Sequence, residues 1–306
     1  MSQEVGPLLV ADNGTGRRSF VWPAVRPPAW SREPGLPGLG WLVHSFAARA
    51  PIHRRELCYG SSEFLAATDL AHRWPRHRGA SGLMGNLARD PALIRGLDAI
   101  WRLPVIDLRV RRTDADAWSG AYFGPAGRGI FSGQLAQAAL ELPTVEEHYL
   151  AGRAKQALRT NLRHARDHGV TSGRVPTYEA WLEAASVIVQ GAAWVRRMAK
   201  PEAGQQVSYY LARDAHETPL AFAGSAIFGQ FAVLFIMLNN PDRRPIASWA
   251  RYQLHTCLAF DLSRSGVKYL IVGSAFRQTT GNQYFQHLLG YRPRHLRLEV
   301  IEPSAA

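Results

Sequence analysis

Two apolar runs separated by a glycine constrain the fold of this chain more than any other feature. They cover residues 220–228 and 230–238, and Gly229 stands between them. Each run has the length of a buried strand, and glycine supplies the backbone freedom that a tight turn requires. The pattern predicts an antiparallel hairpin, with Ala221 to Leu238 at the centre of one mixed sheet spanning residues 207–300.

Strand-like and helix-like stretches surround this hairpin. The other predicted strands cover residues 105–110, 136–142, 207–213, 267–273 and 295–301. The predicted helices cover residues 61–74, 91–103, 145–169, 178–198, 248–266 and 282–290. This order predicts an α+β fold in which helices flank a mixed, mostly antiparallel sheet. The length of 306 residues suggests two domains, divided into residues 1–140 and 141–306.

The helix predicted over residues 145–169 carries an unusual charge pattern. Thr144 and Glu147 have the spacing of a capping box, and Gly169 is a natural C-terminal stop. Four cations recur at helical spacing and share one face: Lys155, Arg159, Arg163 and Arg166. No glutamate is placed to pair with them along the helix. The face is either ordinary solvated surface or a site for phosphate groups.

The net charge favours an anionic partner. The chain has 36 Lys and Arg against 24 Asp and Glu, a formal charge of +12. Only three of the basic residues are lysines, and a GC-rich genome would explain that ratio but not the excess charge. Such a field attracts nucleic acid, a pyrophosphate-bearing cofactor or an anionic membrane.

Several classes of protein do not fit this sequence. No apolar run approaches the roughly 20 residues of a membrane-spanning helix, and the N-terminus lacks a signal-peptide pattern. Cys58 and Cys257 alone provide neither a disulfide framework nor a zinc site, so we expect no metal. These observations predict a cytoplasmic protein. The Gly-rich, basic segment 76–91 lacks Walker spacing and is interpreted as a loop.

Two segments carry a resemblance to a known family. The stretch YLAGRAKQALRTNLRHARDHGV resembles a helix of the FemABX peptidyltransferases and related acetyltransferases, and GNQYFQHLLGYRP resembles the segment after their last apolar strand. The order of elements over residues 140–300 resembles the Gcn5-related N-acetyltransferase (GNAT) fold, in which two strands splay apart around the acyl donor. Since FemABX proteins contain two GNAT-like domains, the resemblance implies that residues 1–140 form a degenerate first one.

The resemblance implies transfer of an acyl group to an amine. FemABX relatives take an aminoacyl group from aminoacyl-tRNA and pass it to peptidoglycan stem peptides or antibiotic peptides. Acyl-CoA-dependent relatives carry a glycine-rich pyrophosphate loop, whereas this chain reads LNNPDRRPIASWARYQL. The lack of glycine and the positive charge favour aminoacyl-tRNA as the co-substrate, with no other cofactor. An acyl-CoA-dependent N-acyltransferase and a non-catalytic nucleic-acid-binding protein remain the alternatives.

Candidate site residues follow from this reading. No Ser-His-Asp or Cys-His spacing is present, so we expect direct attack of an amine on the donor ester, assisted by alignment and oxyanion stabilisation. The proposed catalytic residues are Asn282, Tyr284 and His287, the last taking the place of a lysine in the related families. The donor would be bound by Lys155, Arg159, Arg163, Arg166, Arg243 and Arg244. The remaining substrate contacts are assigned to Tyr252, His255, Arg277 and Gln278, with a small-molecule or peptide amine as acceptor.

Overall fold

A computed structural model describes residues 10–12, 18–20, 52–73, 89–111, 136–189, 195 and 206–301. Its strands are β1 (Val10–Asp12), β2 (Arg18–Phe20), β3 (Val105–Arg111), β4 (Gln137–Glu141), β5 (Thr171–Val175), β6 (Val207–Arg213), β7 (Pro219–Phe228), β8 (Phe231–Asn239), β9 (Tyr269–Ser274) and β10 (Arg292–Ile301). Its α-helices are α1 (Ser62–Arg73), α2 (Pro91–Trp101), α3 (Glu146–Leu150), α4 (Gln156–Asp167), α5 (Tyr178–Ile188), α6 (Ile246–Arg264) and α7 (Thr280–Leu289). Most of the Gly-rich segment predicted as a loop lies outside these residues.

Strands β3 to β10 form one eight-stranded sheet in the order β3-β10-β4-β9-β8-β7-β6-β5. Only β3 with β10 and β8 with β9 pair in parallel. This architecture confirms the predicted fold class, a mixed and mostly antiparallel sheet flanked by helices. The β7–β8 hairpin lies near its centre and turns at Gly229, whose φ of +55° is a conformation that glycine adopts readily.

The predicted division between residues 140 and 141 falls inside β4. That strand lies between β9 and β10, and β3 pairs with β10, so a cut there would separate neighbouring strands of one sheet. One apolar core likewise contains side chains from both sides of the cut, such as Leu70 and Leu254. The described residues before and after position 140 therefore share a single sheet and core.

Two predicted helix ends lie close to those in the structure. Ser61 Oγ accepts a hydrogen bond from the Phe64 amide at the start of α1. At the end of α6, Gly266 follows the last turn with a φ of +84°. The helix predicted over residues 248–266 begins earlier than expected, because α6 starts at Ile246 after Pro245 and Ser248 already lies in its first turn.

The long helix predicted over residues 145–169 is interrupted. It consists of α3, a 3₁₀ turn over Arg153–Lys155, and α4, with a break at Gly152 where φ is +82°. The predicted capping box does not form, because Val145 is the residue before α3 and no side chain caps that end. The helix can break at Gly152 because glycine adopts a positive φ without the steric cost that a Cβ would impose.

Candidate active site at a fork between two strands

The central feature of the sheet is a fork between β8 and β9. These strands pair over three positions only, from Phe231 with Tyr269 to Val233 with Ile271. Beyond that point β8 continues to Asn239 and β9 continues to Ser274. Strand β9 pairs with β4 along its whole length, on the side away from β8. The edges of two neighbouring strands therefore separate in the middle of the sheet.

A β-bulge at Phe235 explains why the strands diverge. Gly224 of β7 faces Ile236 of β8, whereas the next residue, Ser225, faces Leu234, so Phe235 is the extra residue. A bulge bends its strand and increases the local twist. Gly224 leaves room for it, because a Cβ at that position would lie 2.5 Å from the Phe235 ring.

The residues that border the fork are mostly apolar. Val233 and Ile271, the last paired residues, are fully buried. Of the residues that follow, Phe235, Ile236 and Ser274 are buried, whereas five are partly exposed: Leu234, Met237, Leu238, Val272 and Gly273. A chain of a few atoms bound at the fork would bring an activated carbonyl close to unpaired backbone groups.

Helices α6 and α7 stand together at the mouth of the fork. The rings of Tyr252 and Phe285 lie 4.8 Å apart, and the Arg251 guanidinium carbon lies 3.7 Å from the centre of the Phe285 ring. Burial lowers the pKa of Arg251 to about 10. No carboxylate of the described residues forms an ion pair with Arg251, so its charge is balanced mainly by an aromatic face. The sequence analysis did not identify this residue.

Four predicted site residues lie together between β9 and the first turns of α7. Thr279 caps α7 by accepting a hydrogen bond from the Asn282 amide, and the Asn282 side chain donates to Gln278 over 3.4 Å. Tyr284 is 47% exposed, and burial lowers the pKa of Arg277. The structure thus brings Gln278 and Asn282 into contact, and burial together with the nearby Tyr284 raises the pKa of Tyr252.

His255 cannot contact a substrate in this structure. Its side chain is fully buried in α6, and Nε2 is 2.8 Å from the hydroxyl of Tyr291. Burial, with the nearby charges of Lys155 and Arg251, lowers its pKa to about 3. The predicted substrate contact is therefore replaced by a structural role as a neutral core side chain.

Lys155 does not belong to the arginine face of α4. It precedes α4, and its Nζ donates to the carbonyl of Leu288 over 3.1 Å at the C-terminal end of α7. The same ammonium lies 4.3 Å from the centre of the Tyr149 ring, while the Tyr149 hydroxyl donates to the carbonyl of Leu289. The Lys155 ammonium and the Tyr149 hydroxyl thus cap the C-terminal end of α7. Burial lowers the pKa of Lys155 to about 8.

The three arginines predicted to share a face of α4 have different surroundings. All are exposed, but Arg159 donates to the carbonyls of Leu150 and Gly152 and so closes the end of α3. In the part of the chain that the structure describes, neither Arg163 nor Arg166 forms an ion pair. Of the three arginines, only Arg163 and Arg166 have side chains that neither donate a hydrogen bond to, nor form an ion pair with, another described residue.

The helix that carries these two arginines also packs two histidine rings against a tryptophan. Trp249, in the first turn of α6, has its ring centre 5.0 Å from His164 and 4.7 Å from His168. Because α6 follows the end of β8, this cluster lies where the chain leaves the fork. We call Arg163, His164, Arg166, His168 and Trp249 the basic-aromatic surface.

The arginines before α6 also differ from the expectation. Arg243 pairs with Asp214 over 2.7 Å, and that carboxylate also accepts two backbone amides. Arg243 is therefore committed to holding a turn and is not free for a donor phosphate. Arg244 is exposed and stays a candidate.

His287 adjoins a narrow pocket that sequence reasoning missed. Its ring stacks on Tyr59 with centres 4.7 Å apart, and its Nδ1 atom is buried without a hydrogen-bond partner among the described residues. Burial, together with the charges of Arg292 and Lys155, lowers the pKa of His287. These surroundings therefore favour the neutral form of the imidazole.

Comparisons with known proteins give likenesses of fold only. No protein-family model and no curated protein matches the chain. Similar solved structures include L-PGS from Bacillus licheniformis (11% identity, TM-score 0.37), FemX (9%, 0.43) and a GCN5-related N-acetyltransferase from Kribbella flavida (18%, 0.32). Each likeness covers 52% of this chain and, respectively, 57%, 59% and 54% of the other, so it spans little more than half of each protein. The proposal below rests on the geometry of this chain.

Two kinds of feature are absent from the residues that the structure describes. Within these ranges no helix has the length and apolar character needed to cross a membrane. Nor do three or more His, Cys, Asp or Glu side chains in the same residues come together as metal ligands would.

Proposed function

We propose that this protein is an acyltransferase that forms an amide bond, passing an aminoacyl group from aminoacyl-tRNA to an amine. The observation that carries the acyl-transfer part is the fork beyond Val233 and Ile271, flanked by polar residues of α6 and α7. An activated carbonyl in this fork would lie beside unpaired strand edges, where a backbone amide can stabilise an oxyanion.

The choice of donor rests on the basic-aromatic surface. Arg163 and Arg166 offer charges for phosphates, while Trp249 and the two histidines offer rings on which unpaired bases can stack. This combination suits the single-stranded end of an RNA better than a small cofactor. With Arg243 held by Asp214, less charge is available before α6 for the pyrophosphate of acyl-CoA.

The reaction needs little from the protein beyond alignment. The acceptor nitrogen attacks the ester carbonyl, the C–N bond forms, and the C–O bond to the ribose oxygen breaks. The amine proton passes to that leaving oxygen, and His287 is the group proposed to relay it, since its surroundings favour the neutral form of its imidazole. Asn282 and Tyr284 would orient the reacting groups.

The test measures donor binding and turnover together. Purified protein is incubated with pooled radiolabelled aminoacyl-tRNAs and cell extract, and enzymatic release of each label is scored. RNA binding is measured against salt for the parent, for Arg163→Gln/Arg166→Gln and for a control pair, Arg89→Gln/Arg95→Gln, which removes two exposed charges elsewhere. The first pair should reduce the slope of log K against log salt by about 1.4 to 1.8, at roughly 0.7 to 0.9 for each lost phosphate contact.

Two results would contradict this proposal. Tight CoA binding without RNA binding at about 100 mM salt would favour the acyl-CoA-dependent reaction. RNA binding without release of any label would favour a non-catalytic nucleic-acid-binding protein. Arg159 is left unchanged in these variants, because losing its hydrogen bonds to Leu150 at the end of α3 and to Gly152 beyond it would confuse binding with stability.

A further inference from the structure

Two arginines differ from every other partly buried cation that the structure describes. They are Arg251 of α6 and Arg277, which follows β9. Neither side chain donates a hydrogen bond to a described residue or forms an ion pair with one. Desolvation makes an unpaired charge costly, so partly buried cations normally have a polar partner. The remaining partly buried lysines and arginines each have one: Arg54, Arg102, Lys155, Arg213, Arg292 and Arg294.

The guanidinium of Arg251 is held in place and still accessible. Its carbon lies 3.7 Å from the centre of the Phe285 ring, so the cation rests on the aromatic face. None of its nitrogens is among the fully buried side-chain atoms that lack a partner, so solvent reaches them. A guanidinium offers parallel N–H donors that match two oxygens of one phosphate. An oxyanion can therefore bind Arg251 from the solvent side without entering a closed cavity.

A second cation without an acidic partner lies near Arg251. Arg244 is exposed and precedes α6, and no carboxylate of the described residues forms an ion pair with it. Burial, and in addition the charge of Arg244, lower the pKa of Arg251. Two neighbouring positive charges disfavour each other, and a bound anion would offset both. The pair therefore suits an anionic group better than a neutral one.

The position of Arg251 on α6 connects it with the basic-aromatic surface. Trp249 of that surface lies two residues earlier, which is about 3 Å along the helix axis. Trp249 contacts histidines of α4, whereas Arg251 contacts Phe285 of α7, so the two side chains leave α6 on different sides. A helix with its side chains is about 10–12 Å wide, a distance that a few nucleotides of single-stranded RNA can cross. RNA held at the basic-aromatic surface can therefore place a phosphate nearer its end at Arg251.

We propose that Arg251, with Arg244 beside it, binds the last phosphate group of the donor RNA and so positions the 3′-terminal ester at the fork. The ligand is the phosphate that precedes the terminal nucleoside of a single-stranded 3′ end, and its base is not read. This inference rests on the proposed aminoacyl-tRNA donor. It adds a dependence on one phosphate group that RNA binding in general does not require.

The test compares three forms of fluorescently labelled, uncharged tRNA by anisotropy at about 100 mM salt. The first is intact, the second lacks the terminal adenosine and ends in a 3′-hydroxyl, and the third lacks it but ends in a 3′-phosphate. The parent protein should bind the 3′-phosphate form about tenfold more tightly than the 3′-hydroxyl form, as expected for a charge-assisted contact. The intact form carries a phosphate at the same position and should also bind more tightly than the 3′-hydroxyl form.

Two variants locate the effect. Arg251→Met removes the charge but keeps an unbranched side chain that can pack on Phe285. It should bind the two trimmed forms equally, and as weakly as the parent binds the 3′-hydroxyl form. Arg264→Gln is the matched control, because Arg264 is exposed in the last turn of the same helix and is paired with Glu146. It should keep the preference of the parent for the 3′-phosphate.

The outcomes separate this inference from the proposed function. If the parent binds both trimmed forms equally, or if Arg251→Met keeps the preference, the phosphate site is wrong while a tRNA donor still stands. Should Arg251→Met fail to fold, Arg251→Lys decides, because it keeps the charge without the paired donors and should show a smaller preference than the parent. A preference for the 3′-phosphate without any aminoacyl release would support the site and contradict the proposed reaction. Failure to bind all three forms would overturn both.

Discussion

The buried pair of His255 and Tyr291 makes stability depend on pH in a predictable way. An unfolded histidine has a pKa of about 6.5, whereas burial lowers that of His255 to about 3. Between these values the unfolded chain binds a proton that the folded chain does not, so the free energy of unfolding falls as the pH drops below 6.5. Each pH unit removes about 1.4 kcal/mol, which gives about 2 kcal/mol at pH 5 relative to pH 7.5.

The assay compares urea unfolding at pH 7.5 and pH 5 for the parent and for His255→Gln. Glutamine does not titrate, and its amide can reach the position of Nε2 and keep a partner for the Tyr291 hydroxyl. The loss between the two pH values should be about 2 kcal/mol smaller in His255→Gln than in the parent. The pKa of His287 is also lowered, but its contribution is common to both proteins and cancels in the comparison.

A matched control and a refuting result complete the test. His72→Gln removes an exposed histidine from α1 and should follow the parent at both pH values. Keeping the pH at 5 or above avoids most carboxylate titration. Equal acid losses in the parent and in His255→Gln would show that His255 is not the buried neutral group inferred here.

Two further predictions concern glycines whose conformation or packing the structure explains. Gly290→Ala should cost at least about 1–2 kcal/mol, because φ is +100° and the new Cβ would lie 2.9 Å from Lys155 Nζ. Gly281→Ala in the same helix has open space and should not destabilise, so equal urea midpoints for these variants would contradict this account. Gly224→Ala should lower the free energy of unfolding by about 1–3 kcal/mol, because the new Cβ would lie 2.5 Å from the Phe235 ring. An unchanged midpoint of thermal unfolding would contradict this close packing at the bulge.

The hairpin and the last helix were predictable because their signals are local. Apolar runs of strand length, a turn glycine and capping serines or threonines act over a few residues, and the structure follows them closely at β6, β7, β8 and α7. Strand β5 was missed because its sequence, TSGRV, has no apolar alternation and pairs only with β6 at the end of the sheet. The position of β4 between β9 and β10 could not be predicted either, since pairing between strands distant in sequence leaves no local pattern.

The candidate site shows the same division between local and long-range information. The polar residues after β9 were found because they follow an apolar strand directly. Arg251 and Tyr59 were not predicted to lie near these residues because their contacts are with neighbours distant in sequence, such as Phe285 for Arg251 and His287 for Tyr59. Lys155 was wrongly assigned to the arginine face because its sequence spacing matched a continuous helix. The chain breaks at Gly152, and the Lys155 side chain contacts the end of α7.

The central claim is that the acyl donor enters the fork between β8 and β9. Amide hydrogen exchange tests this directly, using an aminoacyl-tRNA analogue in which a stable amide replaces the reactive ester. Binding should slow exchange in residues 234–239 and 272–277, which border the fork, and leave the distant strand β3 unchanged. If the analogue binds while exchange at the fork stays unaltered, the donor lies elsewhere and the proposed active site is wrong.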